Sequence, residues 1–363
     1  MPHPATLMAV AAAVAALAVA GVVLAGGYGA LAVALAAADA ALLTGVVLRY
    51  LRARAILDRP NARSSHGVAT PRGGGLGVVP VVVAGWAIIA LIAPATLDLA
   101  AVLAGATVLA LVSWFDDVRT LAAAPRFAVQ LAVVAVGTAL LPGDALVFQG
   151  LLPLVADRLL TALAWLWFVN LFNFMDGIDG ITGSELASIG GGLALAVSLA
   201  APAGLAAGAD PALPFYALVL AAAGLGFLVW NWHPAQVFLG DVGSVPLGYL
   251  TGWLLITAAA MGLWPAAVIL PLYYLTDATA TLLRRLAKGE PIFQAHRQHA
   301  YQRAVQRGLS HSQVVWRIVA GNLALIACAA AATAIGAWAL LPAGLVVLVL
   351  IGHLTTAARP PAA

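Results

Sequence analysis

The sequence predicts an all-α fold, a polytopic integral membrane helical bundle of about 11–12 transmembrane helices, and three observations carry that reading. Of 363 residues, 63% are hydrophobic and only 9% are charged, with a mean hydropathy of +1.02, which leaves too little polar surface to cover a soluble globule. Apolar runs such as 81–93 and 193–201 extend into segments long enough to cross a bilayer as helices. The residue-by-residue alternation that a membrane barrel needs is absent. The one cysteine, Cys328, sits in an apolar run, so it reads as a buried inert thiol and no internal disulfide framework can form.

Taken in order, the candidate spans lie near 6–25, 29–50, 75–93, 98–114, 126–141, 154–173, 184–201, 213–230, 243–258, 262–282, 314–335 and 337–353. Spans 126–141 and 243–258 are short and need a thinned membrane or an oblique break. Residues 1–25 end in small residues, as a cleaved signal does, yet no Lys or Arg precedes the apolar run, which favours a retained span. No soluble domain and no internal repeat is visible. The whole of 1–363 therefore reads as a single transmembrane domain, with N-terminal helices in 1–50 and C-terminal helices in 313–363. The largest polar piece, 284–314, suits a loop and a short amphipathic helix.

The charges orient the bundle. Arg49, Arg52, Arg54, Arg59, Arg63 and Arg72 surround the connection after the second span, Arg119 and Arg126 follow the fourth, and a basic cluster from Arg284 to Arg317 follows the tenth. Of the 17 Lys and Arg, only Arg158 falls on the opposite side. The positive-inside rule makes the crowded side cytoplasmic, and the same side receives the polar stretches 173–183 and 231–243.

Five polar stretches on that face carry chemistry. Residues 57–77 (LDRPNARSSHGVATPRGGGLG) combine a Pro- and Gly-bent backbone with Arg63, Ser64, His66 and Arg72 as donors to an anion, and glycine lets backbone amides approach phosphate. Alone, this is also what a topology-setting basic loop looks like. In WFDDVRTL, the adjacent Asp116 and Asp117 repel one another and invite a divalent cation, a basic partner or a raised pKa in one member. In NLFNFMDGIDGITGSE, Asp176 and Asp179 each precede glycine at the end of the sixth span, with Asn173 three residues upstream of Asp176. In NWHPAQVFLGDVGSVPLG, Asp241 stands between glycines beside an apolar segment, where a metal, a substrate or a helix-capping role would offset the cost of its charge. His233 in that stretch reads as a turn residue. In EPIFQAHRQHAYQRAVQR, His296, Arg297 and His299 form a cationic cluster, with Tyr301 available for stacking. Zinc ligation there lacks a partner in register, so a phosphate or lipid surface suits it better. His3, His311 and His353 have no special context, and Glu185 reads as a helix-start residue of the seventh span. Acidic groups for a hard cation beside basic groups for phosphate, opening on a bilayer, suit phosphoryl transfer between a soluble donor and a lipid acceptor.

In order along 57–312, the segments RSSH and TPRGGG, the Asp pair, N-x-x-D-G-x-D-G at 173–180, P-A-x-x-F-x-G-D-x-G-S at 234–244 and the His-containing loop at 296–299 resemble the polyprenyl-phosphate N-acetylhexosamine-1-phosphate transferases of glycosyltransferase family 4. That family includes the MraY translocases, and the HRQHAYQR segment is more similar to the bacterial branch that initiates O-antigen synthesis. The third acidic or lysine position that often follows the family's aspartate pair is absent here, where Val118, Arg119 and Thr120 stand, and the N-terminal helix is doubled.

The resemblance implies transfer of a HexNAc-1-phosphate from a UDP-N-acetylhexosamine to undecaprenyl phosphate, giving the lipid pyrophosphate sugar and UMP. It implies Mg²⁺, with Mn²⁺ as a substitute, and a multi-pass protein of the bacterial inner membrane whose site faces the cytoplasm among membrane lipids. No nucleic-acid partner is expected, and a homodimer is. Carried across by motif, Asn173 and Asp241 become metal ligands, Asp116 a base or orienting group with Asp117 its partner, and Asp176 and Asp179 supports for the nucleotide and metal. His296, Arg297 and His299 hold donor phosphate or sugar, and Arg63, Ser64, His66 and Arg72 join the anion site. The competing reading is an ion-coupled transporter using Asp39 and Asp277, the carboxylates deepest inside predicted spans.

Overall fold

The computed structural model of the chain describes residues 27–60, 65, 67–92, 97–119, 121–200, 210–291 and 296–356. The expected first span, with Arg63, Ser64 and His66, lies outside the described residues. The order is α1 (Gly27–Ala53), β1 (Leu57–Asp58), β2 (Thr70–Pro71), α2 (Gly75–Ile92), α3 (Leu97–Arg119), α4 (Ala123–Ala139), α5 (Leu154–Met175), α6 (Ile181–Ala200), α7 (Leu213–Asn231) and α8 (Asp241–Ala258). There follow a π-helical turn (Ala259–Leu263), α9 (Trp264–Ile269), α10 (Leu272–Ala287), α11 (Ala300–Gln306), α12 (His311–Ile335), a 3₁₀ turn (Gly336–Ala339) and α13 (Leu340–Thr356).

The fold is the expected all-α membrane bundle, and the chain is a multi-pass membrane protein. Among the described residues, seven segments are long and apolar enough to cross a membrane, one of which, His311–Thr356, runs through two helices, and Gly75–Leu91 and Ala123–Ala139 are shorter apolar helices. The expected span 262–282 is not one helix. Gly262 adopts φ 87°, and Pro265 and Pro271 withhold backbone donors, so the chain breaks twice before α10.

Close helix approach rests on small residues and on a few large ones that lock into them. Gly183 and Gly190 of α6 lie against the backbone of Gly224 and Ala217 in α7, and Gly226 of α7 lies against Ala37 of α1. Trp230 of α7 packs on Gly45 and donates its indole N–H to the Ala41 carbonyl at 2.7 Å. On the other side of the bundle, Trp165 of α5 stacks on Tyr249 of α8 at 4.6 Å and donates to the Tyr249 carbonyl at 2.9 Å, with Gly252 making room for its ring. Helices α7 and α8 therefore form the buried centre.

Two carboxylates read from sequence take other roles. Glu185 is not at the start of α6 but in its second turn, fully buried, where its carboxylate accepts a hydrogen bond from Asn322 of α12 at 2.7 Å. Asp277 of α10 accepts from the Ala300 N–H at 2.9 Å and from the hydroxyls of Tyr273 and Thr281 at 3.2 and 3.3 Å. It thus anchors the start of α11 rather than building an ion site across the bilayer midplane, while Asp39 lies exposed on α1.

The segment between β2 and α2 joins the two halves of the molecule. Strand β1 pairs antiparallel with β2, and Phe238 donates to the Pro71 carbonyl at 2.8 Å. The amides of Gly73 and Gly74 donate to the Phe238 carbonyl at 3.1 and 2.8 Å, and that of Gly75 to the Leu239 carbonyl at 2.8 Å. The glycine run is therefore not the phosphate cradle its composition suggested, since all three amides are spent on the 238–239 backbone. Its glycines serve close packing: a Cβ on Gly75 would overlap the Gly243 backbone. Gly75→Ala is expected to destabilise the protein by about 1–3 kcal/mol, because backbone cannot yield as a side chain tip would. A lower melting temperature and folded yield in detergent would show it, and an unchanged melting curve would refute the contact.

Candidate active site

Helix α3 extends to Arg119, which places Asp116 and Asp117 in its last turns. The Asp117 side chain is fully shielded (0% exposed). Its two oxygens accept the Asp241 and Val242 N–H groups at 3.1 and 2.9 Å, so a carboxylate from α3 caps the N-terminus of α8. Gly240, at φ 76°, makes the entry turn, and a Cβ there would meet the Asp117 carboxylate at 2.6 Å.

Two arginines complete this end. Arg72 directs Nε at Asp117 (2.9 Å) and a terminal nitrogen at Asp241 Oδ1 (2.8 Å). Arg126, in the first turn of α4, pairs with Asp116 and reaches Asp241 Oδ2 at 3.2 Å. Asp116 also accepts the Leu121 N–H at 2.6 Å. The adjacent aspartates thus avoid mutual repulsion by facing different cations. Arg72 loses solvation, which alone would lower its pKa, yet Asp241 and Asp117 outweigh that and hold it above the ordinary value.

Asn173 donates to the Ser244 hydroxyl at 3.0 Å, which leaves its carbonyl oxygen as the acceptor of the amide. Asp176 follows the last residue of α5 and accepts from Thr182. It touches the cavity on one side only, and burial on the others pushes its carboxyl up to about 6, with nearby Asp241 and Asp117 adding to the effect. Asp179 goes the opposite way. Burial would raise it, but bonds from His311 (3.1 Å), His233 (2.6 Å) and the Ala235 N–H (3.1 Å) outweigh burial and hold it below the usual carboxylate range. Asn231 braces the same loop, accepting from Gly180 N–H and donating to the Val237 carbonyl, both at 2.9 Å.

These groups line a cavity of about 310 Å³ bounded by Arg72, Asn173, Asp176, Asp179, Asp241 and His311. Of the expected site residues, Arg72, Asn173, Asp176, Asp179 and Asp241 meet there, with Asp116 and Asp117 joined to them through the arginines. His296, Arg297 and His299 are not among its lining. His299 is buried as the N-cap of α11, lies 3.6 Å from Asp277 and stacks on Tyr301, so Tyr301 stacks within the fold. The Tyr301 hydroxyl donates to the Phe174 carbonyl at 3.0 Å. The residues missed from sequence are His233, His311 and Arg126, because nothing in their spacing pairs them with carboxylates 54, 132 and 10 residues away.

A divalent cation suits this donor set. Four carboxylates, Asp116, Asp117, Asp176 and Asp241, face only two guanidinium groups, and the oxygens of Asn173, Asp176 and Asp241 on the cavity wall are the hard ligands such an ion takes. Among the described residues, Asp179, His233 and His311 also cluster closely. Their 2.6 and 3.1 Å separations are hydrogen-bond lengths within one carboxylate–histidine group.

A carboxylate- and guanidinium-lined cavity in an apolar helical bundle has the charges that an anionic substrate with a divalent cation would need. The model for "Glycosyl transferase family 4" matches residues 99–259. The chain is 30% identical over 290 residues to a Bacillus subtilis (strain 168) protein named "Probable undecaprenyl-phosphate N-acetylglucosaminyl 1-phosphate transferase", covering 76% of each chain. It is 29% identical over 306 residues to the decaprenyl-phosphate N-acetylglucosaminephosphotransferase of Mycobacterium leprae (strain TN), covering 75% of each. A phospho-N-acetylmuramoyl-pentapeptide-transferase of Synechococcus sp. (strain RCC307) is 41% identical over 96 residues, 26% of this chain and 25% of its own. The chain belongs to the polyprenyl-phosphate N-acetylhexosamine-1-phosphate transferase family and is a transferase.

Asp176 gives a pH signature. Its carboxyl is raised in the fold from the ordinary 3.8 to about 6, so ionisation opposes folding: the stability it contributes is full below pH 3.8 and lost as pH rises through 6. In EDTA, Asp176→Asn should therefore match wild type near pH 4 and exceed it above pH 6, by at most about 3 kcal/mol. Thermal unfolding across that range measures it, and a gain that shrinks as pH rises would contradict the environment described.

Proposed function

We propose that the protein transfers an N-acetylhexosamine 1-phosphate, of which N-acetylglucosamine 1-phosphate is the best supported, from the UDP-sugar to undecaprenyl phosphate. The products are undecaprenyl-pyrophosphate-linked sugar and UMP, made at the cytoplasmic face of a bacterial inner membrane to start a surface polysaccharide of the O-antigen kind. The observation that carries the chemistry is Asp241 held between Arg72 and Arg126 on the cavity wall, one arginine on each carboxylate oxygen. The names of the relatives that match three quarters of the chain support the substrates.

In this reading a phosphate oxygen of the lipid attacks the β-phosphorus of the nucleotide sugar, the bond to the α-phosphate oxygen breaks, and UMP departs with the electron pair. Asp241, Asn173 and Asp176 would hold Mg²⁺, which would neutralise the pyrophosphate charge when bound. Arg72 and Arg126 exchange a carboxylate contact for phosphate oxygens, placing cationic donors where negative charge gathers. Asp116, which shares Arg126 with Asp241, orients the acceptor phosphate and takes its remaining proton; little base strength is needed, since the second pKa of a phosphate monoester is near neutral. Asp117 stays out of the chemistry and fixes the α8 terminus. The apolar bundle below the site suits a long isoprenoid chain.

The test is UMP release by the purified full chain in bilayers containing undecaprenyl phosphate, Mg²⁺ and a panel of UDP-N-acetylhexosamines. Turnover with UDP-N-acetylglucosamine is expected, and no turnover with any member would defeat the reading. Asp241→Asn should lower kcat by about 10²–10³-fold while folded yield holds, since one charge is removed from where the substrate's charge develops. Near-normal turnover would remove Asp241 from the site.

A further inference from the structure

The Asp179 group and the Asp241 group line the same cavity but share no residue in the hydrogen bonds that hold them. Arg72 and Arg126 organise one, and His311 and His233 organise the other. His311 is the first residue of α12, buried, and set by the Ser310 cap that accepts the Gln313 N–H at 3.2 Å. Its two ring nitrogens point to different parts of the chain. Nδ1 accepts the Asp179 backbone N–H at 3.3 Å and lies 3.1 Å from Asp179 Oδ1, and Nε2 lies 3.0 Å from the Ser65 carbonyl. His233 Nδ1 and the Ala235 N–H engage the other Asp179 oxygen, at 2.6 and 3.1 Å.

We propose that His311 is a positioning residue that clamps the Asp179 carboxylate to the Ser65 segment and so sets the wall on which the nucleotide sugar is held. Ser65, Asp179 and His311 all line the cavity. With Oδ2 taken by His233 and Ala235, it is Oδ1, steered by His311, that presents its remaining lone pair to an N–H or hydroxyl of the donor substrate. The same ring contacts the Ser65 carbonyl, 246 residues away, so one side chain joins two lining residues of the cavity at once. Since the phosphate end is built separately, loss of His311 should weaken donor binding and leave the chemical step largely intact. This inference rests on the transferase reading above.

The experiment measures kcat and both KM values for the full chain in bilayers with undecaprenyl phosphate, Mg²⁺ and UDP-N-acetylglucosamine. For His311→Ala, KM for the UDP-sugar should rise about tenfold, the equivalent of one lost charge-assisted hydrogen bond, with kcat within about threefold and lipid KM unchanged. His311→Asn, whose amide nitrogen replaces Nδ1, should recover most of the loss. In an Asp179→Asn background, His311→Ala should add less than about twofold, because the group it steers is already altered. Where His311→Ala yields no folded protein, His311→Gln takes its place, since it keeps a donor for Ser65 and loses the one for Asp179. An unchanged UDP-sugar KM, an equal fall of kcat in the Ala and Asn variants, or full additivity with Asp179→Asn would overturn the inference. Wild-type protein inactive with every UDP-sugar would instead overturn the transferase reading, and the inference with it.

Discussion

The Asp241 side of the polar cavity depends on one shielded carboxylate. Asp117 leaves α3 with no exposed side-chain surface, and an unpaired charge so placed would cost several kcal/mol. It is satisfied by the first amides of α8 and by Arg72, three partners from two other parts of the chain. Each of those bonds also places something: the amides fix where α8 begins, and α8 begins with Asp241. Arg72 is fixed in turn because the backbone beside it pairs with 238–239. The Asp241 and Arg72 walls of the cavity are thus assembled around a residue that is not itself part of its lining.

Charge balance explains why such a cavity can exist in so apolar a protein. The excess of carboxylates over arginines is tolerable with a divalent cation bound, and each arginine bridges two acids, so no cation is committed to a single partner. Asp179 achieves the same end without arginine, through two imidazoles and a backbone amide. Neighbouring carboxylates are shifted in opposite directions, with Asp176 pushed up by burial and Asp179 held down by its donors.

Much of the fold was legible because bilayer thickness imposes a length that apolar runs must match. Helices α1 to α8 begin and end within a few residues of the expected spans. The expected span 262–282 was not, because Gly262 and two prolines act through backbone geometry that hydropathy does not register, whereas the spans expected at 314–335 and 337–353 match α12 and α13. In the site, the aspartates of three separate motifs and Asn173 were legible and do converge. The glycine run misled, since a sequence rich in amides free to bind phosphate looks the same as one whose amides are taken by a distant strand-like segment. The surroundings of His299 were likewise not legible: its partners Asp277 and Tyr301 are set by the packing of α10 and α11.

The sequence by itself determined the class of the molecule: an apolar helical protein with acidic and basic motifs gathered at one end, in an order that marks its family. Those are properties of composition, span length and local spacing. Only the tertiary structure decided which acid does what. Asp117 became a cap, Asp241 a doubly gripped cavity carboxylate, Asp277 an anchor, and His311 a partner of Asp179 and Ser65, 132 and 246 residues away. The role of a buried charge is set by the partners that desolvation forces it to find, and those partners lie at sequence separations that no local pattern encodes.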